Sequence, residues 1–102
     1  MAEPRKFLLI LAVALAAPVA HGADIAKGSQ LYALHCASCH GANGAGVVPG
    51  TPKMNRGEGM LQSDFAILAT LKRGKNAMPP YGGLLRDREL LDVIAYTRTL
   101  QR

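Results

Sequence analysis

His35-Cys36-Ala37-Ser38-Cys39-His40 holds both cysteines of the chain, three positions apart, with a histidine on each side. On a helix, residues i, i+3 and i+4 point to one side, so Cys36, Cys39 and His40 project together within a sector of about 100°. Three donors then face one object. A redox dithiol of the thioredoxin kind belongs after a strand in an α/β chain, and no alternating strand pattern precedes Cys36. A zinc centre needs four ligands around one ion. His35, Cys36, Cys39 and His40 lie on consecutive turns and cannot surround an ion without unwinding the helix.

The only other histidine, His21, falls in a segment that reads as a secretory leader. Arg5 and Lys6 form a basic tip, Phe7 to Ala17 a short apolar run, and Ala20-His21-Gly22 a small-x-small cleavage site, with the cut expected after Gly22 or one residue later. Pro18 interrupts the run, which is shorter than the roughly 20 residues that span a bilayer. No cysteine stands at the cut to carry a lipid anchor, so no integral membrane segment is expected in the mature form. Residues 1–22 are therefore expected to be removed, and residues 23–102 to form one domain.

Removal of Glu3, Arg5 and Lys6 lowers the formal net charge of the 102-residue chain from +5 to +4. The aromatics left are Tyr32, Phe65, Tyr81 and Tyr96. A domain of about 80 residues with so little core material usually needs a disulfide, metal or cofactor. Two cysteines allow one disulfide at most. Nucleic-acid binding is excluded on pattern, because there is no basic run and no aromatic platform for stacking.

Outward from the motif, Asp24 is a plausible N-cap for a first helix in which Ile25, Gly28, Leu31, Tyr32 and His35 recur at helical spacing up to His40. Residues 41–59 are aperiodic and dense in Gly and Pro, which marks a long irregular loop. Ser63 caps a helix over residues 64–73, with Asp64 in its first turn, Lys72 and Arg73 in its last, and Gly74 just past its end. A second irregular stretch, residues 74–83, leads to a final helix whose Leu90, Val93, Ile94, Thr97 and Leu100 make one apolar stripe. The pattern is all-α.

What remains for Cys-x-x-Cys-His in an exported chain is covalent attachment of haem: the two thiols add to the vinyl groups and the His40 imidazole binds iron. A large flat apolar body also supplies the core that the residues lack, with the two loops as its walls.

CASCH, Gly28 and Tyr32 in the first helix, Pro52 after the motif, the Met78-Pro79-Pro80 loop and a terminal helix carrying Tyr96 together resemble the class I c-type cytochromes over residues 23–102. The resemblance implies an all-α cytochrome c fold in which the N- and C-terminal helices cross around one haem c. Gly28 would permit their close approach, with Tyr32, Ile94 and Tyr96 packing near the contact. It places Met78 as the second iron ligand, and the aperiodic loop and following prolines suit that role. Met54 and Met60 are expected to pack in the core or against haem. His35 shares the helix of His40 and cannot reach the opposite face. The resemblance also gives Pro52 the carbonyl that accepts from His40 Nδ1, with Pro49 a competitor for the role. Where the family often has a Ser or Thr cap on the last helix, this chain has Arg86, and Asp87 is expected to take over.

These features imply a periplasmic one-electron carrier with His/Met-ligated iron, not an enzyme, working between a redox protein donor and acceptor as a monomer or small subunit. Two alternatives stay open: a haem subunit of a periplasmic dehydrogenase or oxidase complex, and a ligand-binding sensor or peroxidase with Met78 displaced. Lys53, Arg56, Lys72, Arg73 and Lys75 fall in or beside the two loops, where they either solvate the surface or form a docking rim.

Overall fold

The computed structural model describes residues 22–102, so the expected leader, Gly22 apart, lies outside the described residues. Among the described residues there are four α-helices: α1 (Ile25–His35), α2 (Ala37–His40), α3 (Asp64–Arg73) and α4 (Asp87–Arg98), with a 3₁₀ turn at Met54–Arg56. Among the described residues there is no strand, only isolated bridges such as Lys75 with Met78. The all-α expectation holds.

Helix starts follow local chemistry. Asp24 caps α1 by accepting the Lys27 N–H at 3.0 Å, and Ser63 caps α3 by accepting the Ala66 N–H at 3.2 Å. The start of α4 differs from expectation: Arg86, not Asp87, is the N-cap. The Arg86 side chain has no acceptor, so Glu89 reaches back instead, and its Oε1 accepts the Arg86 N–H at 3.0 Å.

The expected single helix up to His40 is broken. α1 ends at His35, Cys36 lies between, and α2 restarts at Ala37. The turn through Cys36 stays helical in its bonding, because the Cys36 carbonyl accepts from Cys39 N–H at 3.3 Å and from His40 N–H at 3.0 Å. Cys36, Cys39 and His40 therefore still share one helical turn.

α1 and α4 make the most extensive helix contact, as the resemblance implies. It is centred on Gly28, where a Cβ would collide with the Asp92 carbonyl and come within 3.1 Å of the Tyr96 Cβ. Buried Asp92 adds a polar tie, its Oδ1 accepting the Asp24 N–H at 2.8 Å. The core is split into a cluster of Leu31, Tyr32 and Val93 and a second of Leu68, Leu90 and Ile94. Val93 and Ile94 are adjacent on α4, so that helix serves both. Arg98 then fastens the segment before α3 to α4 through the Met60 carbonyl at 2.8 Å, the Gln62 carbonyl at 2.9 Å and Asp64 at 2.7 Å.

Gly28→Ala should force the helices apart and destabilise the holoprotein by about 2 kcal/mol, the usual scale for overpacking a tight contact. Urea unfolding checks this, and an unchanged midpoint would mean that the crossing yields without cost.

Candidate cofactor site

The wall of the site begins at the Cys36–His40 turn, which is pinned from outside. Gly41 N–H donates to the Ala37 carbonyl at 2.8 Å, Gly46 N–H to His40 at 2.7 Å and Val47 N–H to Cys39 at 2.8 Å. The loop thus satisfies carbonyls that a short helix leaves open. Inside, the Tyr32 hydroxyl donates to the Gly41 carbonyl at 2.6 Å. Its phenol pKa is pushed up to about 12, chiefly by burial, so the proton stays on and the bond persists at neutral pH.

The opposite wall is the Met78 loop. Gly74 ends α3 at φ +76°, and a Cβ there would stand 2.8 Å from both the Met78 carbonyl oxygen and the Pro80 nitrogen. Only glycine lets the loop fold back this closely. Lys75 and Met78 exchange backbone hydrogen bonds at 3.1 and 2.9 Å, which closes the turn carrying Met78.

Between the walls is a cavity of about 620 Å³. Cys36, Cys39, His40, Pro52 and Met78 all line it, and so do Pro49, Met54 and Met60. His35 borders it too, half-buried, with its ring edge-on to Tyr81. α4 contributes Val93, Ile94 and Thr97. The five residues singled out by sequence are thus brought together from three separate segments.

The donors suit haem better than a dithiol or an ion. Burial, with a smaller contribution from Cys39, pushes the Cys36 thiol up to about 11. A reactive Cys-x-x-Cys pair needs the opposite shift. Both cysteines are free thiols, Cys36 half-buried and Cys39 exposed. Burial also lowers the His40 pKa, which favours the neutral imidazole that binds metal. No group of three or more metal-binding side chains gathers around a single point among the described residues.

His40 Nδ1 is buried without a hydrogen-bond partner, while the Pro52 carbonyl accepts from Met54 N–H at 3.1 Å. The Pro52–His40 bond expected from the resemblance is therefore not formed in this structure, although both residues line the cavity. An orphaned imidazole nitrogen in an apolar wall marks a group whose surroundings are completed by something else.

Sequence reasoning missed the two phenols, Tyr32 and Tyr81, as hydrogen-bond donors, and Arg98 as a clasp. Tyr32 was legible only as helix packing. For Tyr81 the signal was its place three residues after Met78.

A helical fold closed on an apolar cavity, with Cys-x-x-Cys-His in its wall, defines a c-type cytochrome domain. The family model described as cytochrome c oxidase, cbb3-type, subunit III matches residues 23–96. Cytochrome c6 of Thermosynechococcus vestitus is 36% identical over 101 residues, covering 90% of this chain and 88% of its own. Cytochrome c6 of Tetradesmus obliquus is 38% identical over 78 residues, 72% of this chain and 88% of its own. The solved cytochrome c6 of the diatom Phaeodactylum tricornutum superposes with a TM-score of 0.61 at 32% identity, covering 74% of this chain and 92% of that one. The chain belongs to the c-type cytochromes, as a class I mono-haem protein homologous to cytochrome c6. It carries one covalently bound haem c and transfers single electrons.

Acid extraction of the holoprotein should leave haem on the polypeptide, and Cys36→Ala or Cys39→Ala should retain it through one bond at most. Haem that extracts freely from the unaltered protein would overturn attachment at this motif. The haem-free chain should be largely unfolded, because so small a core does not offset chain entropy. Native helix content with a cooperative melt in that chain, read by circular dichroism, would refute this.

Proposed function

We propose that this chain is an exported, periplasmic electron carrier whose iron is held by His40 on one side and Met78 on the other. The observation that carries the reading is the single cavity lined at once by Cys36, Cys39, His40 and Met78. Haem supplies a one-electron couple. The polypeptide anchors it through Cys36 and Cys39, presents a neutral imidazole at His40, and offers a thioether from a loop braced by the Lys75–Met78 bridge. A haem held by both His40 and Met78 would carry charge and offer no open position to a substrate, which argues against an enzyme. Pro52 is the proposed backbone partner of His40 once haem sets the ring's orientation.

Export rests on the leader-like residues 1–22, and no helix among the described residues is long and apolar enough to cross a membrane. The donor and acceptor are redox proteins. Lys53, Arg56 and Lys75 are exposed and form no ion pair among the described residues, whereas Lys72 is engaged with Asp87 at 3.1 Å. Unpaired cations beside the cavity favour partners with acidic docking faces, and such association weakens as salt rises. A second reading, a haem subunit of a larger oxidase-type complex, draws on the description of the matching family model. Purification from native membranes separates the two: a carrier washes free as a small monomer, a subunit co-purifies.

Met78→Ala should abolish the weak long-wavelength sulfur-to-iron band of the ferric protein, lower the reduction potential and open the ferrous protein to carbon monoxide, because a soft sulfur favours the reduced iron. Met54→Ala and Met60→Ala should leave the band in place. If Met60→Ala alone removes it, the assignment of the loop is wrong. An unchanged spectrum in a less stable Met78→Ala protein would make Met78 a packing residue only.

A further inference from the structure

Tyr81 lies three residues past Met78, and its hydroxyl donates to the His35 carbonyl at 2.8 Å, spanning 46 positions of sequence. That carbonyl is open because the chain breaks at Cys36: the Cys39 N–H turns to the Cys36 carbonyl at 3.3 Å rather than continuing α1. The Tyr81 ring also stands edge-on to the His35 imidazole, with centroids 6.0 Å apart and planes at 70°. Its backbone is tied elsewhere, Tyr81 N–H to the Leu71 carbonyl at 2.8 Å and Gly82 N–H to the Lys72 carbonyl at 3.1 Å. The backbone thus fastens this loop to α3, and the phenol carries it across to the segment that holds the cysteines.

We propose that the Tyr81 hydroxyl is a positioning group that couples the Met78 loop to the Cys36–His40 turn and so keeps the Met78 sulfur on the iron. The inference rests on the His40/Met78 reading above. Its logic is geometric. The turn bearing Cys36, Cys39 and His40 is bracketed by two phenol-to-carbonyl bonds, Tyr81 on His35 before it and Tyr32 on Gly41 after it. Tyr32 comes from α1, the helix that leads directly into the turn. Tyr81 comes from the loop that supplies the other ligand, so its bond alone spans the cavity from one ligand segment to the other. A phenylalanine at position 81 would keep the ring packed beside Leu68, Leu90 and Ile94 and remove only this tie.

Tyr81 does not touch the iron in this scheme; it sets how often the loop lifts away. An added ligand binds only when the loop is lifted, so its apparent affinity scales with the lifted fraction. Loss of one such hydrogen bond raises that fraction about three- to tenfold. Imidazole titrated into the ferric holoprotein reads it, with the sulfur-to-iron band monitored before the first addition. Tyr81→Phe should keep the band at the start and bind imidazole about three- to tenfold more tightly. Tyr32→Phe should lower the melting temperature while leaving imidazole affinity unchanged. Unchanged affinity in Tyr81→Phe, with the band present in the unaltered protein, overturns the positioning role and leaves Met78 as ligand. Equal tightening in both variants overturns it too, since the effect would then be general loosening. Absence of the band in the unaltered protein sinks the Met78 reading itself, and the proposal with it.

Discussion

Residues 22–102 bury seven apolar side chains, and they are divided between two small clusters and Met60, with members of both clusters lining the cavity. The fold is thus built around a volume that the polypeptide does not fill. For about 80 residues the surface removed from water by side chains alone leaves stability near zero. Burial of haem in that volume would supply the missing apolar contact. The α1–α4 crossing serves the same volume, since it brings Tyr32, Val93 and Ile94 into the lining of the cavity.

The crossing in turn demands Gly28, and the close approach it allows is reinforced by burying Asp92. A lone carboxylate in that position would be costly, but its Oδ1 accepts the Asp24 N–H, a donor that the start of α1 leaves without a helical partner. Helix start, helix crossing and buried carboxyl are thus one arrangement. The same economy recurs at the other end of α4, where Arg98 satisfies two loop carbonyls and Asp64 together. Its guanidinium fork matches several acceptors at once, which a lysine could not reproduce.

Much of this was legible because it depends on neighbours in sequence. Asp24 and Ser63 are caps by local chemistry, Cys-x-x-Cys-His is a local motif, and the stripe Leu90, Val93, Ile94, Thr97 and Leu100 is local periodicity whose first four members are buried, while Leu100, past the end of α4, is half-buried. What escaped depends on distant partners. Nothing between residues 30 and 40 resembles a helix breaker, and the break at Cys36 is stabilised by Tyr81, 46 positions after the His35 carbonyl that it satisfies. The cap at Arg86 is a local exception: composition favours Asp87, whereas Glu89, in the first turn of α4, supplies the acceptor that the Arg86 side chain lacks. The Pro52–His40 hydrogen bond that the resemblance implies is not formed in this structure, and whether the two can meet depends on where the imidazole is turned, of which sequence says nothing.

A carrier changes the charge of its cofactor at each turnover, and any atom that moves in response slows the transfer. The structure answers this with ties that do not involve haem at all. The carbonyls of Ala37, Cys39 and His40 are held by N–H groups of Gly41, Val47 and Gly46, and the Met78 turn by its exchange with Lys75. These donors and acceptors are backbone amides and carbonyls that neither gain nor lose a proton near neutral pH, so protonation does not loosen the frame on either side of the cavity. The charged side chains nearest that frame are exposed: Glu58 and Lys75 at the edge of the cavity, and Lys72 held by Asp87 on the surface. The ties that hold the wall are thus separate from the exposed charges around it, so a change of charge at the rim leaves the backbone frame in place.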